Sequence, residues 1–373
     1  MGLYDDIRIL QHRDQLERIE QGRWHQCAPL HVRLEPSEVC NFRCRFCWWH
    51  NLQKREGLPN FRFNGRTLLD RKRLLALLGE LAALGTKAIS FTGAGDPLMY
   101  PGMAEVLGKV CELGLAFGLT SNMAMPMDDE LVEALVHARW LRWSMNAGTA
   151  ATYLAVANPK AGGDARLFER LQENVRRIVA AAKRRPTPPD FNASYVVTDI
   201  NQADVFEAAR LAASLGVDSI AFRPDTPLER QTTANEYSAE VLALICTARE
   251  RLQTDAFRVH SNLVRLEDVR RTNDPELLCF YSNHTVYVDA RGDVYPCCYT
   301  RYDARYVIGN IMERGFREFW DHPDRHRFYM KLPQDGCPAC GYGRINQALK
   351  PLYLGHKRTT DVAVLVDEKD FFI

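Results

Sequence analysis

Residues 31–51 read HVRLEPSEVCNFRCRFCWWHN. The opening HVRLEPS (31–37) reads as a short strand, and three cysteines follow it at 40, 44 and 47 with no fourth nearby. A structural zinc site closes a tetrahedron of four ligands. A [4Fe–4S] cluster ordinarily takes four thiolates, one per iron. Three thiolates leave one corner open, and an open corner can bind a substrate or cofactor directly. The C-x3-C-x2-C spacing lets one loop wrap three corners of a cube.

Downstream of this stretch, short β-type runs alternate with longer helical patterns. KAISFTG (87–93), LAFGLTS (115–121), WLRWSMN (140–146), FNASYVV (191–197) and SIAFRP (219–224) read as strands. Between and after them, helical spacing marks 68–85, 103–114, 128–138, about 164–184, 202–216 and 236–253. Gly85 suits the end of the first of these helices, and the acidic start of DDELVEALVHA suits a helix N-terminus. The Pro-rich RRPTPPD (184–190) links a helix to the next strand. Six βα units between 31 and 253 imply a parallel sheet with helices outside, which an open doubly wound sheet or a barrel satisfies equally. Beyond 255 the rhythm stops. TVYVDARGDVYPCC (285–298) reads as a hairpin turning at Arg291-Gly292-Asp293, FREFWDH (316–322) as a short helix, and CPACGYG (337–343) as a knuckle-like loop.

The 373 residues are 46% hydrophobic and carry 48 basic against 47 acidic side chains, a net charge of +1. That balance gives no electrostatic basis for nucleic-acid or membrane-surface binding. The charged N-terminal stretch lacks the apolar core of a secretory signal, and no run of 18 apolar residues occurs, so a cytoplasmic chain with no membrane segment is expected. Asp6 stands where a myristoylation signal carries Ser or Thr. Eleven cysteines in such a chain should be reduced thiols, and clustered thiols point to metal rather than disulfides. Cys27, Cys111 and Cys246 stand alone and read as inert buried residues.

The C-x3-C-x2-C triad after a first strand resembles the signature of the radical S-adenosylmethionine (SAM) enzymes. FTGAGDP (91–97), at the end of the second strand, is similar to that superfamily's Gly-Gly-Glu-Pro motif, with Asp96 in place of the usual Glu. The resemblance implies a [4Fe–4S] cluster on Cys40, Cys44 and Cys47 that binds SAM at its open iron. It also implies backbone contacts to the SAM amino group from Gly93, Ala94, Gly95 and Asp96, and Phe46 beside the adenine. Polar residues at later strand ends, namely Ser121, Asn122, Ser144, Asn146 and Arg223, are expected near the SAM ribose and carboxylate; Arg223 could equally hold a substrate carboxylate. All these groups fall at C-terminal strand ends, where a β/α barrel gathers its site. The implied fold is a partial (β/α)6 TIM-like barrel. The implied chemistry is reductive cleavage of SAM to methionine and a 5′-deoxyadenosyl radical, which abstracts hydrogen from an unactivated carbon.

The second cysteine group follows C-x12-G-x4-C…C-x2-C from Cys279 through Gly292 and Cys297 to Cys337 and Cys340, with no cysteine after Cys340. Taken alone, the C-x2-C half fits structural zinc as well as iron–sulfur. The pattern resembles the twitch domain, a shortened form of the SPASM extension of radical SAM enzymes. That resemblance implies one auxiliary [4Fe–4S] cluster ligated by Cys279, Cys297, Cys337 and Cys340. Cys298 is then spare. Strand neighbours point to opposite faces, so Cys298 faces away from that cluster as a catalytic hydrogen-atom donor, as a buried small residue, or, with the roles exchanged, as the ligand itself. Trp48, Trp49 and His50 wall a pocket or pack the triad loop.

The expected organisation is an N-terminal helical extension (1–30), the barrel (31–255), a small auxiliary-cluster domain (256–345) and a tail (346–373). Only 30 residues precede the first strand, too few for a peptide-recognition winged helix of about 80 residues. A small polar metabolite such as a sugar, aminoglycoside or nucleoside-type precursor is therefore the expected substrate, undergoing dehydrogenation or epimerisation. A ribosomal peptide is the alternative substrate, and a zinc-stapled binding protein without catalysis is the alternative class. The expected partner is an external one-electron donor such as flavodoxin or ferredoxin.

Overall fold

A computed structural model describes residues 8–49, 61–157, 165–225, 238–261, 278–332, 337 and 342–356. His50 and Cys340 lie outside these described residues. Strand β1 (His31–Leu34) is interior to a sheet: it pairs in parallel with β2 (Ala88–Phe91) on one side and β8 (Thr285–Val288) on the other. From β2 the parallel order runs through β3 (Ala116–Ser121), β4 (Trp140–Ser144), β5 (Asp190–Val197), β6 (Ser219–Pro224) and β7 (Arg258–Ser261). Beyond β8, β9 (Asp293–Tyr295) and β10 (Gly309–Asn310) add antiparallel. The whole is one ten-stranded sheet, a partial TIM-like barrel whose first six strands are those predicted. Two features extend it: β7, and the parallel pairing of β8 with β1.

The helices are α1 (Arg13–Glu20), α2 (Arg71–Leu84), α3 (Met103–Glu112), α4 (Asp129–Leu135), α5 (Ala150–Ala157) and α6 (Ala165–Ala182). They continue as α7 (Val205–Leu215), α8 (Ala239–Leu252), α9 (Phe316–Trp320), α10 (Pro323–Lys331) and α11 (Gly343–Tyr353). Local chemistry sets their ends. The Asp70 carboxylate accepts the Arg73 N–H at 2.9 Å to start α2, and Gly85 ends it at φ +93°, a left-handed conformation that favours glycine. Asp128 caps α4 by accepting the Leu131 N–H at 2.8 Å.

Alternation along the strands divides the sheet's two faces. Val32, Leu34, Ile89, Phe91, Phe117 and Leu119 pack outward against leucines of α2 and apolar residues of α3 in one core. Each such fully buried large side chain contributes about 1.5–3 kcal/mol relative to exposure. The intervening positions face the lumen and are mostly polar. A second core joins an early helix to a late one: Leu16 and Ile19 of α1 meet Leu349, Leu352 and Tyr353 of α11.

Cys27 is buried as expected, but Cys111 and Cys246 are exposed. On α3 the buried stripe is Met103, Val106, Leu107 and Val110, and on α8 it includes Val241, Ile245 and Ala248. Each cysteine stands one residue past a buried position, which turns it about 100° off that stripe. Among the described residues no helix is long and apolar enough to cross a membrane.

Candidate active site

The triad loop is moored to the carbonyl end of α5. The N–H groups of Arg43 and Arg45 donate to the carbonyls of Ala157 (3.2 Å) and Val156 (3.0 Å), and Arg45 Nε donates to that of Ala155 (3.1 Å). A helix C-terminus leaves its last carbonyls unsatisfied and carries partial negative charge, so a basic loop fits it. Phe42 is buried edge-on against Tyr153, with ring centroids 5.7 Å apart. Cys40, Cys44 and Cys47 are all half-buried. Burial pushes the Cys44 thiol well up, and Cys47 and Cys40 push it further. Among the described residues no three Cys, His, Asp or Glu side chains converge on a single-ion site. Thiolates holding three corners of a cube do not need to converge, and the triad fits a four-iron cluster with one open iron. Phe46 is half-buried within the loop.

The β2 end packs directly on the approach to Cys40. A Cβ on Gly93 would overlap Glu35 Cγ and stand 2.6 Å from its Cδ. A Cβ on Gly95 would overlap the Ser37 carbonyl oxygen and stand 2.7 Å from that of Val39. Only glycine permits this approach. Between them, buried Ala94 donates its N–H to Glu35 Oε1 at 3.2 Å. The buried Asp96 carboxylate accepts from Leu98 N–H (2.9 Å), Ser121 Oγ (2.9 Å) and Asn122 N–H (2.8 Å). Burial raises its pKa, and these donors hold it back. Asp96 thus braces the end of β3 against the end of β2.

Asn122 reaches the triad itself: its Nδ2 donates to Asn41 Oδ1 at 2.8 Å and stands 4.0 Å from Cys40 Sγ. Asn146 adopts φ +54°, and its Oδ1 accepts the Val196 N–H at 2.8 Å, tying the β4 end to β5. Ser144 and Arg223 are half-buried at the C-terminal ends of β4 and β6, on the lumen-facing register. The structure therefore gathers the predicted strand-end residues at one mouth, while the Ser121, Asn122 and Asn146 side chains have partners within the protein.

In the C-terminal segment Cys297 is buried and Cys279 and Cys337 are half-buried. Burial pushes the Tyr329 hydroxyl up to about 12, and Cys279 and Cys297 push it further. Cys297 Sγ lies 3.8 Å from Thr300 Oγ1, whereas Cys298 Sγ lies 3.2 Å from Tyr342 Oη and on the side of Arg33 and Arg301. Gly292 turns the hairpin at φ +83°.

Sequence reading missed the seam between the two cysteine regions. Its centre is Glu35, fully buried just past β1. The Tyr302 hydroxyl donates to Glu35 Oε1 at 2.5 Å, and the Tyr287 hydroxyl donates to Oε2. Burial pushes the Glu35 carboxyl up to about 7, against the opposing pull of these hydroxyls and of Arg301. The Arg301 guanidinium lies 4.3 Å from the Trp49 ring centroid. Trp49 in turn packs with Phe61, Phe63 and Tyr302. A signal was present: His31, Arg33 and Glu35 alternate with Val32 and Leu34, marking a polar lumen face on the strand that leads to the triad.

Comparison with known proteins agrees with this arrangement. Residues 34–217 match the radical SAM superfamily, and residues 279–341 match SPASM, an iron–sulfur cluster-binding domain. The chain is 23% identical over 309 residues to the tungsten-containing aldehyde ferredoxin oxidoreductase cofactor-modifying protein of Pyrococcus furiosus, covering 78% of this chain and 80% of that protein. It is 23% identical over 291 residues to the dTDP-4-amino-4,6-dideoxy-D-glucose ammonia-lyase of Streptomyces venezuelae, covering 72% of this chain and 57% of that protein. Among solved structures, Streptococcus suis SuiB bound to S-adenosylmethionine superposes with TM-score 0.61 at 14% identity, over 91% of this chain and 78% of that one. Native anSMEcpe with bound AdoMet gives 0.56 at 15% identity, over 91% and 100%. The fold is shared with both. The chain belongs to the radical SAM superfamily and carries a C-terminal SPASM domain, with S-adenosylmethionine, a [4Fe–4S] cluster and auxiliary iron–sulfur as its cofactors.

Proposed function

We propose that this enzyme abstracts hydrogen from a small polar metabolite, of the sugar, aminoglycoside or nucleoside type, and completes a dehydrogenation or an epimerisation. The observation that carries this reading is the polar inner face of the parallel sheet. His31, Ser90, Arg142, Asn192, Ser194 and Ser219 alternate with buried apolar residues facing outward. A polar lumen suits a hydroxyl-rich substrate; within it His31 Nε2 pairs with Ser90 Oγ at 2.8 Å and Ser219 Oγ donates to Asn192 Oδ1 at 2.6 Å.

In this reading Cys40, Cys44 and Cys47 hold the cluster and leave one corner for SAM. The backbone of Gly93, Ala94 and Gly95 receives the SAM amino group, Phe46 lies beside the adenine, and Ser144 and Arg223 face the ribose and carboxylate. Cys279, Cys297, Cys337 and Cys340 hold one auxiliary cluster. When bound, cluster and SAM supply a carbon-centred radical able to take hydrogen from an unactivated carbon. Cys298, whose Sγ lies 3.2 Å from Tyr342 Oη, is the spare thiol in this reading. Its S–H returns a hydrogen atom to the substrate carbon, and an external donor such as flavodoxin or ferredoxin supplies the electron that, with a proton, restores the thiol.

The test is anaerobic reconstitution followed by iron, sulfide and zinc analysis and assay of reductive SAM cleavage. About eight irons and eight sulfides per chain, with methionine and 5′-deoxyadenosine formed, are expected for two four-iron clusters. Zinc without iron, or no SAM cleavage, overturns the reading. Solvent deuterium in the product marks epimerisation; an oxidised product without it marks dehydrogenation.

A further inference from the structure

We propose that Arg301 anchors an anionic group of the substrate, a carboxylate or a phosphate, between the two cysteine regions; this deepens the reading above and rests on it. Arg301 lies three residues after Cys298, and its guanidinium carbon stands 4.3 Å from the ring of Trp49, two residues after Cys47. The same guanidinium is 5.2 Å from the ring of Tyr287 on β8. One side chain therefore touches an aromatic ring from each of the two regions.

The buried Nε of Arg301 has no hydrogen-bond partner among the described residues. No carboxylate among the described residues pairs with it. Glu35 is its acidic neighbour, but the Glu35 oxygens already accept from Tyr287, Tyr302 and Ala94. Arg33, on the same inward face of β1, donates to Thr285 Oγ1 at 3.2 Å. A half-buried guanidinium with an unmet donor is costly unless a negative group completes it. Stacking on an indole fixes the guanidinium plane and leaves its edge free for two parallel hydrogen bonds to an oxyanion.

The backbone is built to hold this pose. Tyr302, the next residue, is fully buried at φ +66°, a strained conformation for a non-glycine residue. It is fixed there because its carbonyl accepts the Arg62 N–H at 3.0 Å and its hydroxyl donates to Glu35. Arg301 enters beside β8 and β1, next to the β2 end, whose Ala94 shares one apolar cluster with Trp49 and Tyr302.

The test uses the full chain, reconstituted anaerobically and loaded with SAM, titrated calorimetrically with inorganic pyrophosphate and separately with succinate. At least one anion should bind, and Arg301→Gln should weaken it roughly tenfold or more, the loss expected for a charge-assisted pair. SAM affinity should change less than twofold. Preference for pyrophosphate marks a phosphorylated substrate, and preference for succinate a carboxylate. If Arg301→Gln fails to load its clusters, Trp49→Leu unstacks the guanidinium without removing it and should weaken the anion severalfold. No anion binding in the unaltered protein overturns the proposal, as does equal binding in Arg301→Gln, unchanged binding in Trp49→Leu, or a matching loss of SAM affinity. SAM cleavage without anion binding would sink this anchor alone; absence of SAM cleavage would sink the function it rests on.

Discussion

The loop carrying Cys40, Cys44 and Cys47 is tied down mostly by main chain; the segment carrying Cys279 and Cys297 is tied down mostly by side chains. In the first, Arg43 and Arg45 donate backbone N–H groups to the end of α5, and Asp96 N–H donates to the Val39 carbonyl at 2.9 Å. In the second, Ser282 Oγ donates to the Cys279 carbonyl (3.0 Å), Thr300 Oγ1 to the Cys297 carbonyl (3.0 Å), and Tyr281 N–H to Asn346 Oδ1 (2.9 Å). A main-chain mooring leaves the loop's side chains available to metal and ligand and does not depend on which residue supplies the amide. A side-chain mooring depends on residue identity and suits a site whose ligands are all supplied from within.

The largest effect should come from the open region. Replacing Cys40, Cys44 and Cys47 with alanine should reduce reductive SAM cleavage to background while the C-terminal iron remains. Loss of all iron would show that the two regions load as one unit and would break the contrast. Next, Gly95→Ala drives a Cβ into the Ser37 and Val39 backbone, which cannot yield locally. We expect destabilisation of about 3 kcal/mol or more, read as a lowered Tm or denaturation midpoint. Gly93→Ala should cost less, because the atoms it meets belong to the Glu35 side chain.

Glu35 joins the two regions and should make their union pH-dependent. Its carboxyl is raised from about 4.5 to about 7, so the folded state holds a proton that the unfolded chain has released across that window. The associated stability is fully present below pH 4.5 and is lost as pH rises through 7, at most about 3 kcal/mol at about 1.4 kcal/mol per unit. Denaturant midpoints measured from pH 5 to 8 should fall faster for the unaltered protein than for Glu35→Gln. Parallel curves would remove Glu35 from the seam's energetics. Smaller still, Asn346→Ala should cost about 1–3 kcal/mol by orphaning the Tyr281 amide. Arg43→Ala should stay within about 0.5 kcal/mol, because the amide it contributes survives the change. Equal costs would dissolve the distinction between main-chain and side-chain mooring.

Much of this was legible because it is local. Strand alternation, the helix end at Gly85, the acidic helix start at Asp128 and the turn at Gly292 are decided within a few residues of chain. The triad was legible because one loop supplies all three thiols. What escaped is set by contacts distant in sequence. Nothing in TVYV (285–288) announces that it pairs with HVRL (31–34), since an apolar run reads the same in a hairpin and in a parallel sheet. Arg301 and Tyr302 became site candidates only once that pairing brought them to Trp49 and Glu35. Cys111 and Cys246 were misjudged because helical spacing places a residue on a face only after the buried stripe is known. Asp96 is the reverse case. Its departure from the family's glutamate stood out in the sequence, and the fold shows the shorter acid fully occupied between two strand ends.

The pairing of β1 with β8 also has a consequence in time. Thr285 lies 252 residues after Arg33, so a ribosome working at about 5–20 residues per second leaves one edge of the first strand bare for roughly 10–50 s. The loop beside that edge carries Cys40, Cys44 and Cys47. A nascent chain must therefore shelter both a bare strand edge and three free thiols until its last quarter emerges. The meeting of α1 with α11 then joins residues 13–20 to residues 343–353, so the late helix completes the packing of the early one.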